Sequence, residues 1–126
     1  MDNYALVRPE HLNHYGHLFG GVLLKWVDEF AWLAASRDYP GCRFVTIAMD
    51  RVEFKHPAPA GSILRFHITR AKEGNTSVTY SAEVFSTEPD ATAEKSIFST
   101  NVTFVRVDEA GSKCPLPKND AVRSDE

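Results

Sequence analysis

The sequence has little of several features that would assign it to a specialised class of protein. Its 126 residues include only two cysteines, Cys42 and Cys114, which are too few for a disulfide framework and fit a reducing compartment. Basic residues are not in excess, because 14 Lys and Arg stand against 17 Asp and Glu and the net charge is −3. A nucleic-acid surface needs a basic stripe, so this balance argues against a nucleic-acid partner.

Long apolar runs are missing too. No run is long enough to cross a bilayer, so the sequence predicts no membrane insertion. The first residues, Met1-Asp2-Asn3-Tyr4, lack the basic and then apolar order of a signal peptide, and we expect a cytoplasmic protein. A chain of this length with 43% hydrophobic residues fits one compact domain with its own core.

A helical pattern begins at the glycine pair Gly20-Gly21. Apolar residues then recur three and four positions apart up to about Arg37, which predicts a long and mostly buried helix. The apolar stripe of this helix consists of Leu23, Val27, Phe30 and Ala34, with Trp26 and Leu33 widening it. A second apolar flank, made of Leu24, Ala31 and Ala35, lies beside Asp28. Pro40-Gly41 ends the helix, since proline disfavours helix in the residue before it.

The start of this helix and Asp28 together predict a catalytic site. The N–H groups of a first helical turn have no intrahelical partner and lie at the positive end of the helix dipole, so they can polarise a carbonyl oxygen. Asp28 follows two turns later and supplies a carboxylate. We interpret this pair as a hydrolytic arrangement. The plainer alternatives are a solvated Asp28, an Asn13 that only forms a turn or cap, and glycines that only permit close packing.

After the helix the apolar period changes to two, which predicts strands. Four long strands follow the turn: one that is kinked near Asp50, one around residues 64–68, one from about 78 to 84 and one at 96–107. A hairpin at residues 72–75 joins the second of these strands to the third, and a short strand at 4–7 precedes the helix. This order predicts the α+β class, with an antiparallel curved sheet wrapped round one long central helix.

The sequence also predicts the extent of the domain and its assembly. We expect a single domain over residues 1–117, irregular and disordered chain after Asp108, and a disordered tail at 118–126. Open sheet edges and the flank of Leu24, Ala31 and Ala35 need cover. They predict a dimer that continues the sheet.

Several motifs occur in a fixed order along the chain. They are Asn13-x-x-Gly16-x-x-Phe19-Gly20-Gly21, then Trp26-Val27-Asp28-Glu29 and Ala34-Ala35, with weaker support from Phe54-x-x-Pro57-x-x-x-Gly61 and Thr76-Ser77-Val78. In these motifs the chain resembles the hotdog-fold acyl-CoA thioesterases, specifically the small bacterial and the brain-type cytosolic acyl-CoA hydrolases. The resemblance extends to about Pro117. It implies the hotdog fold and hydrolysis of acyl-CoA to free acid and CoA, without a metal or a cofactor, in a homodimer or a trimer of dimers.

The resemblance also implies roles for single residues. Asn13 of one subunit and Asp28 of its partner would meet over the thioester, with Asp28 as general base or nucleophile and Gly21 N–H as oxyanion donor. Substrate-binding positions would be Gly20, Phe19, Thr76, Ser77 and Val78. His14 and His17 stand where relatives more often carry small or acidic residues.

Two further groups of residues have other interpretations. His11, His14 and His17 share a three-residue spacing, but Pro9 and Gly16 predict a loop in which that spacing does not align metal ligands, so we expect no metal site. Four cations are candidates for the phosphates of CoA: Lys55, Arg65, Arg70 and Lys72.

Two functions other than thioester hydrolysis are also compatible with the sequence. A non-catalytic acyl-CoA-binding hotdog domain would not need a carboxylate in the helix, so Asp28 speaks against it. A hotdog dehydratase or hydratase would use a histidine with an acidic partner, and His17 lies near enough to keep that alternative.

Overall fold

The structure, a computed structural model, describes residues 1–117. Its elements follow in the order β1 (Asp2–Leu6), α1 (Gly20–Asp38), β2 (Arg43–Phe54), β3 (Ile63–Glu73), β4 (Ser77–Thr87) and β5 (Lys95–Val107), with one turn of 3₁₀ helix at Pro9–His11. One long helix and an antiparallel sheet confirm the predicted α+β class. The predicted domain extent, 1–117, stays a prediction, and the tail at 118–126 lies outside the described residues. Within residues 1–117, no helix combines the length and apolar character needed to span a membrane.

The five strands form one sheet in the order β1-β3-β4-β5-β2, and every neighbouring pair is antiparallel. The sheet curves round α1, which packs against β2, β3, β4 and β5. Alternate residues of β4 face the helix and are buried, namely Val78, Tyr80, Ala82 and Val84. The period of two in the sequence therefore identified the buried face correctly.

Aromatic contacts fix α1 in the curve of the sheet. Phe66 of β3 is fully buried, and the rings of Trp26 and Phe30 meet it edge-on with centroid distances of 6.1 and 4.8 Å. Near the other end of α1, the Tyr80 hydroxyl donates a 2.6 Å hydrogen bond to Asp38. Burial, reinforced by this bond, raises the pKa of Tyr80, so the phenol keeps its proton and remains a donor.

Strand β2 is one of the two edge strands of the sheet, and β1 is the other. The register of β2 against β5 shifts between Thr46 and Ala48 and between Asp50 and Glu53, and Arg51 has a positive φ of 53°, so the kink predicted near Asp50 is present. Among residues 1–117, no strand pairs with its outer edge. Apolar side chains are exposed along β2 and on the neighbouring part of α1: Val45, Ile47, Val52, Phe54, Trp32 and Leu33.

One expectation about the helix is wrong. The flank of Leu24, Ala31 and Ala35 does not need a second subunit to bury its alanines, because Ala31 and Ala35 are already fully buried within the protomer. The protomer itself covers both alanines, and Leu24 is half-buried. Leu33, which the sequence places in the buried stripe, is instead 36% exposed. The apolar surface left open on α1 is therefore formed by Trp32 and Leu33.

The chain after β5 is more ordered than its composition predicts. The N–H of Cys114 donates to Arg106 O at 3.0 Å, and the N–H of Leu116 donates to Asn75 O at 2.8 Å. Leu116 is only 6% exposed and belongs to the core. The expectation of disorder directly after Asp108 is therefore wrong, because one buried leucine and backbone hydrogen bonds hold this segment on the sheet.

Phe66 gives a test of this packing. We expect Phe66→Ala to lower the free energy of unfolding by about 3–5 kcal/mol, since it leaves a cavity under Trp26 and Phe30. The exposed aromatic Tyr15 is the matched control, and Tyr15→Ala should change stability by less than about 0.5 kcal/mol. Urea unfolding at one fixed protein concentration measures both, and similar values for the two variants would contradict this account of the core.

Candidate active site

The helix start offers two unpaired backbone donors. Phe19 is the N-cap residue, with extended backbone, and its carbonyl accepts from the N–H groups of Val22 and Leu23 at 3.0 and 3.2 Å. In the part of the chain that the structure describes, the N–H groups of Gly20 and Gly21 have no backbone acceptor. These two donors lie at the positive end of the dipole of α1, where they can hold a carbonyl oxygen or an oxyanion.

Two aromatic rings pack closely on the glycine pair. A Cβ atom on Gly21 would lie 2.9 Å from Cε2 of Phe19, and one on Gly20 would lie 3.3 Å from Cε1 of Phe54. The rings thus pack directly on the backbone of the first turn. Phe19 and Phe54 are 54% and 56% exposed, so apolar surface surrounds the free N–H groups.

Asn13 has a structural role in the loop before α1. Its Oδ1 accepts from the N–H of Tyr15 at 2.9 Å and of His17 at 3.2 Å, and its own N–H donates to His17 O at 2.7 Å. Gly16 completes the turn with a φ of +83°, in the left-handed region. Both oxygen contacts of the Asn13 amide are therefore internal, and its NH₂ group is the part left for a ligand.

The residue Asn13 and the helix start share one cavity of about 360 Å³. Its deep wall contains Leu23, Ala58 and Ile97, which are all buried. The remaining lining residues are Asn13, Leu18, Gly20, Phe54, Lys55, His56 and Pro57. We call this space the Asn13 cavity.

Asp28 lies in a second space, the Asp28 cavity, of about 300 Å³, which is lined by Lys25, Asp28, Glu29, Trp32 and Thr46. The Thr46 hydroxyl donates a 2.7 Å hydrogen bond to Oδ1 of Asp28, so one carboxylate oxygen is held while the other remains available. Thr46 escaped the sequence analysis because a threonine in a strand is ordinary. Only the packing of β2 beside α1 reveals its role.

The two cavities are separate within one protomer, and they share no lining residue. Gly21 and Asp28 are seven positions apart on one helix, which places them about 10 Å apart along its axis. A carbonyl that accepts from Gly21 N–H is therefore out of reach of the same helix's Asp28. The hydrolytic pair inferred from one helix is not assembled within a single protomer.

Other candidates from the sequence lie away from both cavities. Thr76 lies in the turn between β3 and β4, and its carbonyl accepts from Arg106 N–H at 2.9 Å. Ser77 and Val78 begin β4, and Val78 is fully buried. None of the three lines the Asn13 cavity or the Asp28 cavity.

The histidine triplet makes local contacts. His11 accepts from Arg8 N–H through Nδ1 at 3.0 Å and meets the Trp26 ring edge-on, while His14 packs on Tyr15. Within residues 1–117, no three His, Cys, Asp or Glu side chains are grouped so that they could hold a metal ion.

The fold defines a class, the hotdog fold. A Campylobacter jejuni protein described as a hexameric hotdog fold thioesterase superposes with a TM-score of 0.83 at 30% identity, over 95% of this chain and 90% of that one. The chain belongs to the thioesterase superfamily, whose family model matches residues 15–93. The resemblance read from the sequence motifs is thereby confirmed.

Two relatives show how far the similarity extends. An uncharacterised acyl-CoA thioester hydrolase of Zymomonas mobilis is 30% identical over 119 residues, which cover 94% of this chain and 79% of the relative. Acyl-coenzyme A thioesterase 11 of Mus musculus is 35% identical over 100 residues, which cover 79% of this chain. The match spans only 17% of the mouse protein's length.

The two uses of the Asn13 side chain can be separated by mutation. Asn13→Asp keeps an oxygen for the N–H groups of Tyr15 and His17, so we expect stability close to that of the parent. Asn13→Ala removes that oxygen and should lower the free energy of unfolding by about 1–2 kcal/mol. Urea unfolding of both variants tests this, and an equally stable Asn13→Ala would show that the loop does not depend on the side chain.

Proposed function

We propose that the protein is an acyl-CoA thioesterase that hydrolyses acyl-CoA to free acid and CoA. Support comes from membership of the thioesterase superfamily and from relatives that are named for this activity. A carboxylate fixed by a threonine in an open cavity suits an enzyme better than a domain that only binds acyl-CoA. A dehydratase is less well supported, because His17 lines neither cavity.

We propose that the site is shared between two subunits. The observation that carries this proposal is the separation of about 10 Å between Gly21 and Asp28 on one rigid helix. The helix start borders the Asn13 cavity through Gly20, whereas Asp28 lines a different cavity. A thioester needs an oxyanion donor and a base or nucleophile at the same carbonyl group. Gly21 and Asn13 of one subunit therefore act with Asp28 and Thr46 of the partner subunit.

The exposed edge strand explains how two subunits assemble this site. Strand β2 contacts both half-sites, since Thr46 binds Asp28 and the Phe54 ring covers Gly20. In an antiparallel pairing of β2 with the partner's β2 about a two-fold axis near Asp50, Thr46 lies opposite Phe54 of the partner subunit. The pairing also covers the exposed apolar side chains of β2. Each dimer then holds two identical composite sites.

The proposed chemistry uses the thioester's own reactivity. Sulfur donates poorly into the carbonyl group, so an oriented attacker and an oxyanion donor suffice. In one route, Asp28 takes a proton from water as the water attacks the carbonyl carbon; in the other, the Asp28 carboxylate attacks first and water then hydrolyses the anhydride. In both routes Gly21 N–H holds the oxyanion, the C–S bond breaks and CoA leaves as the thiolate, which takes up a proton. The residues leave the choice between the routes open.

We further propose that hydrolysis requires no metal or cofactor, since an activated thioester needs no Lewis acid. The free thiols Cys42 and Cys114 support a reducing, cytoplasmic compartment. The hexameric C. jejuni relative supports assembly of the dimers into a trimer of dimers. We propose Phe19 and Gly20, at the helix start, as substrate contacts. Thr76, Ser77 and Val78 stay predictions from the sequence, because they line neither the Asn13 cavity nor the Asp28 cavity.

Asp28 gives the direct test of this mechanism. Asp28→Asn keeps the volume and the Thr46 contact but removes the charge, so we expect turnover to fall at least about 100-fold with the fold intact. Release of free thiol from a saturated acyl-CoA measures it. Glu29→Gln is the comparison, because Glu29 is the adjacent carboxylate of the same helix and no residue among 1–117 donates a hydrogen bond to its side chain. Near-parental turnover by Asp28→Asn would end the proposed mechanism.

Mixing two inactive variants tests the shared site. Asn13→Asp removes the NH₂ donor and Asp28→Asn removes the carboxylate, so each homodimer should be inactive. In a refolded equimolar mixture about half of the dimers are mixed and one of their two sites is intact, which predicts recovery of about a quarter of the parental activity. No recovery, with mixed dimers verified by mass spectrometry, would place both residues in the site of one subunit.

A further inference from the structure

The lining of the Asn13 cavity contains one lysine and no carboxylate. Lys55 and His56 are among its ten lining residues, and none of the ten is Asp or Glu. The Asp28 cavity is different, since Asp28 and Glu29 accompany its single cation, Lys25. An anionic part of a ligand is therefore favoured on the side of the Asn13 cavity and disfavoured on the other side.

Two other basic residues on the strands already have carboxylate partners. Arg65 forms a bidentate pair with Glu94, with both N–O distances 2.9 Å, and also approaches Asp2 at 3.5 Å. The Arg65 guanidinium holds the pKa of Glu94 below its usual range, so this pair stays ionised. Arg70 lies 3.6 Å from Asp38. These internal partners make Arg65 and Arg70 poor candidates for binding an external anion.

Lys55 is held in place by a neutral partner. The backbone N–H of Lys55 donates to the carbonyl of Ile97 at 2.8 Å, and its side-chain Nζ donates to the hydroxyl of Ser96 at 3.2 Å. Ser96 in turn donates to Glu83 at 3.0 Å. Across residues 1–117, no carboxylate lies within salt-bridge distance of Lys55 Nζ. The ammonium group is thus positioned and keeps N–H donors for a ligand.

The lining of the Asn13 cavity matches the polarity pattern of coenzyme A. Its inner wall of Leu23, Ala58 and Ile97 is buried and apolar, whereas Lys55 and His56 are exposed at the rim. In an acyl-CoA the uncharged pantetheine arm separates the thioester from the phosphates. A thioester at the helix start, where Gly20 lines the cavity, therefore places the arm along the apolar wall and the phosphates near Lys55.

We propose that Lys55, with His56 beside it, binds a phosphate group of coenzyme A. This inference rests on the proposed thioesterase function and assigns the direction in which CoA leaves the shared site. A charge-assisted contact from an ammonium group to a phosphate oxygen strengthens binding of CoA without touching the reacting carbonyl. Removing it changes KM and leaves kcat nearly unchanged.

The test compares thioesters of one acyl group on CoA, on 4′-phosphopantetheine and on pantetheine. Lys55→Ala should raise KM for acyl-CoA about tenfold and leave kinetics with acyl-pantetheine unchanged, since that substrate has no phosphate. Lys55→Arg should restore most of the loss. Lys72→Ala is the control, because Lys72 is an exposed strand lysine that lines neither cavity. If Lys55→Ala also raises KM for the phosphopantetheine thioester, Lys55 binds the phosphate next to the pantetheine arm. If it raises KM for acyl-CoA alone, Lys55 binds a phosphate of the nucleotide.

Calorimetric binding of free CoA to the parent and to Lys55→Ala separates this proposal from the proposed function. If no thioester is hydrolysed but CoA binds about tenfold more weakly to Lys55→Ala, the thioesterase assignment fails and the phosphate site stands. Equal losses on acyl-CoA and acyl-pantetheine, or no change in either KM or CoA affinity, would overturn the role of Lys55.

Discussion

The rigidity of α1 is the constraint on which the rest of the site depends. The buried contact of Phe66 with Trp26 and Phe30, and the hydrogen bond from Tyr80 to Asp38, fix this helix against the sheet at different points along its length. A helix held in this way keeps Gly21 and Asp28 about 10 Å apart. No rearrangement of side chains brings the oxyanion donor and the carboxylate of one subunit to the same carbonyl group. The site must therefore combine the helices of two subunits, or use either the oxyanion donor or the carboxylate but not both.

Strand β2 connects this constraint to assembly. It is one of the two edges of the sheet, and most of its apolar side chains are exposed. The same strand supplies Thr46 to Asp28 and Phe54 to the helix start. In the proposed dimer, the edge pairing that covers the apolar surface also brings the two half-sites together. A substitution on β2 that weakens pairing then acts on turnover even where it touches no substrate.

Much of the fold could be predicted from local patterns. Helical spacing after Gly20-Gly21 identified α1, alternation identified the buried face of β4, and the change of parity near Asp50 identified the kink in β2. These signals are local, because each depends on residues a few positions apart. The cover over Ala31 and Ala35 and the burial of Leu116 depend on contacts between distant segments, and there the sequence analysis was wrong.

In the candidate site, too, the local features could be predicted from the sequence and the contacts between distant segments could not. The glycine pair and Asp28 are visible in the sequence, since a helix start and a carboxylate have recognisable surroundings. Thr46 is not visible, because its hydrogen bond to Asp28 spans 18 positions and joins a strand to a helix. The four cations look equivalent along the chain, and only their surroundings distinguish them. Arg65 faces Glu94 and Arg70 faces Asp38, whereas Lys55 meets the neutral hydroxyl of Ser96. Lys72 lines neither cavity. Charge alone therefore does not identify an anion site; what identifies it is a cation that a neutral hydroxyl holds at a cavity and that forms no salt bridge within residues 1–117.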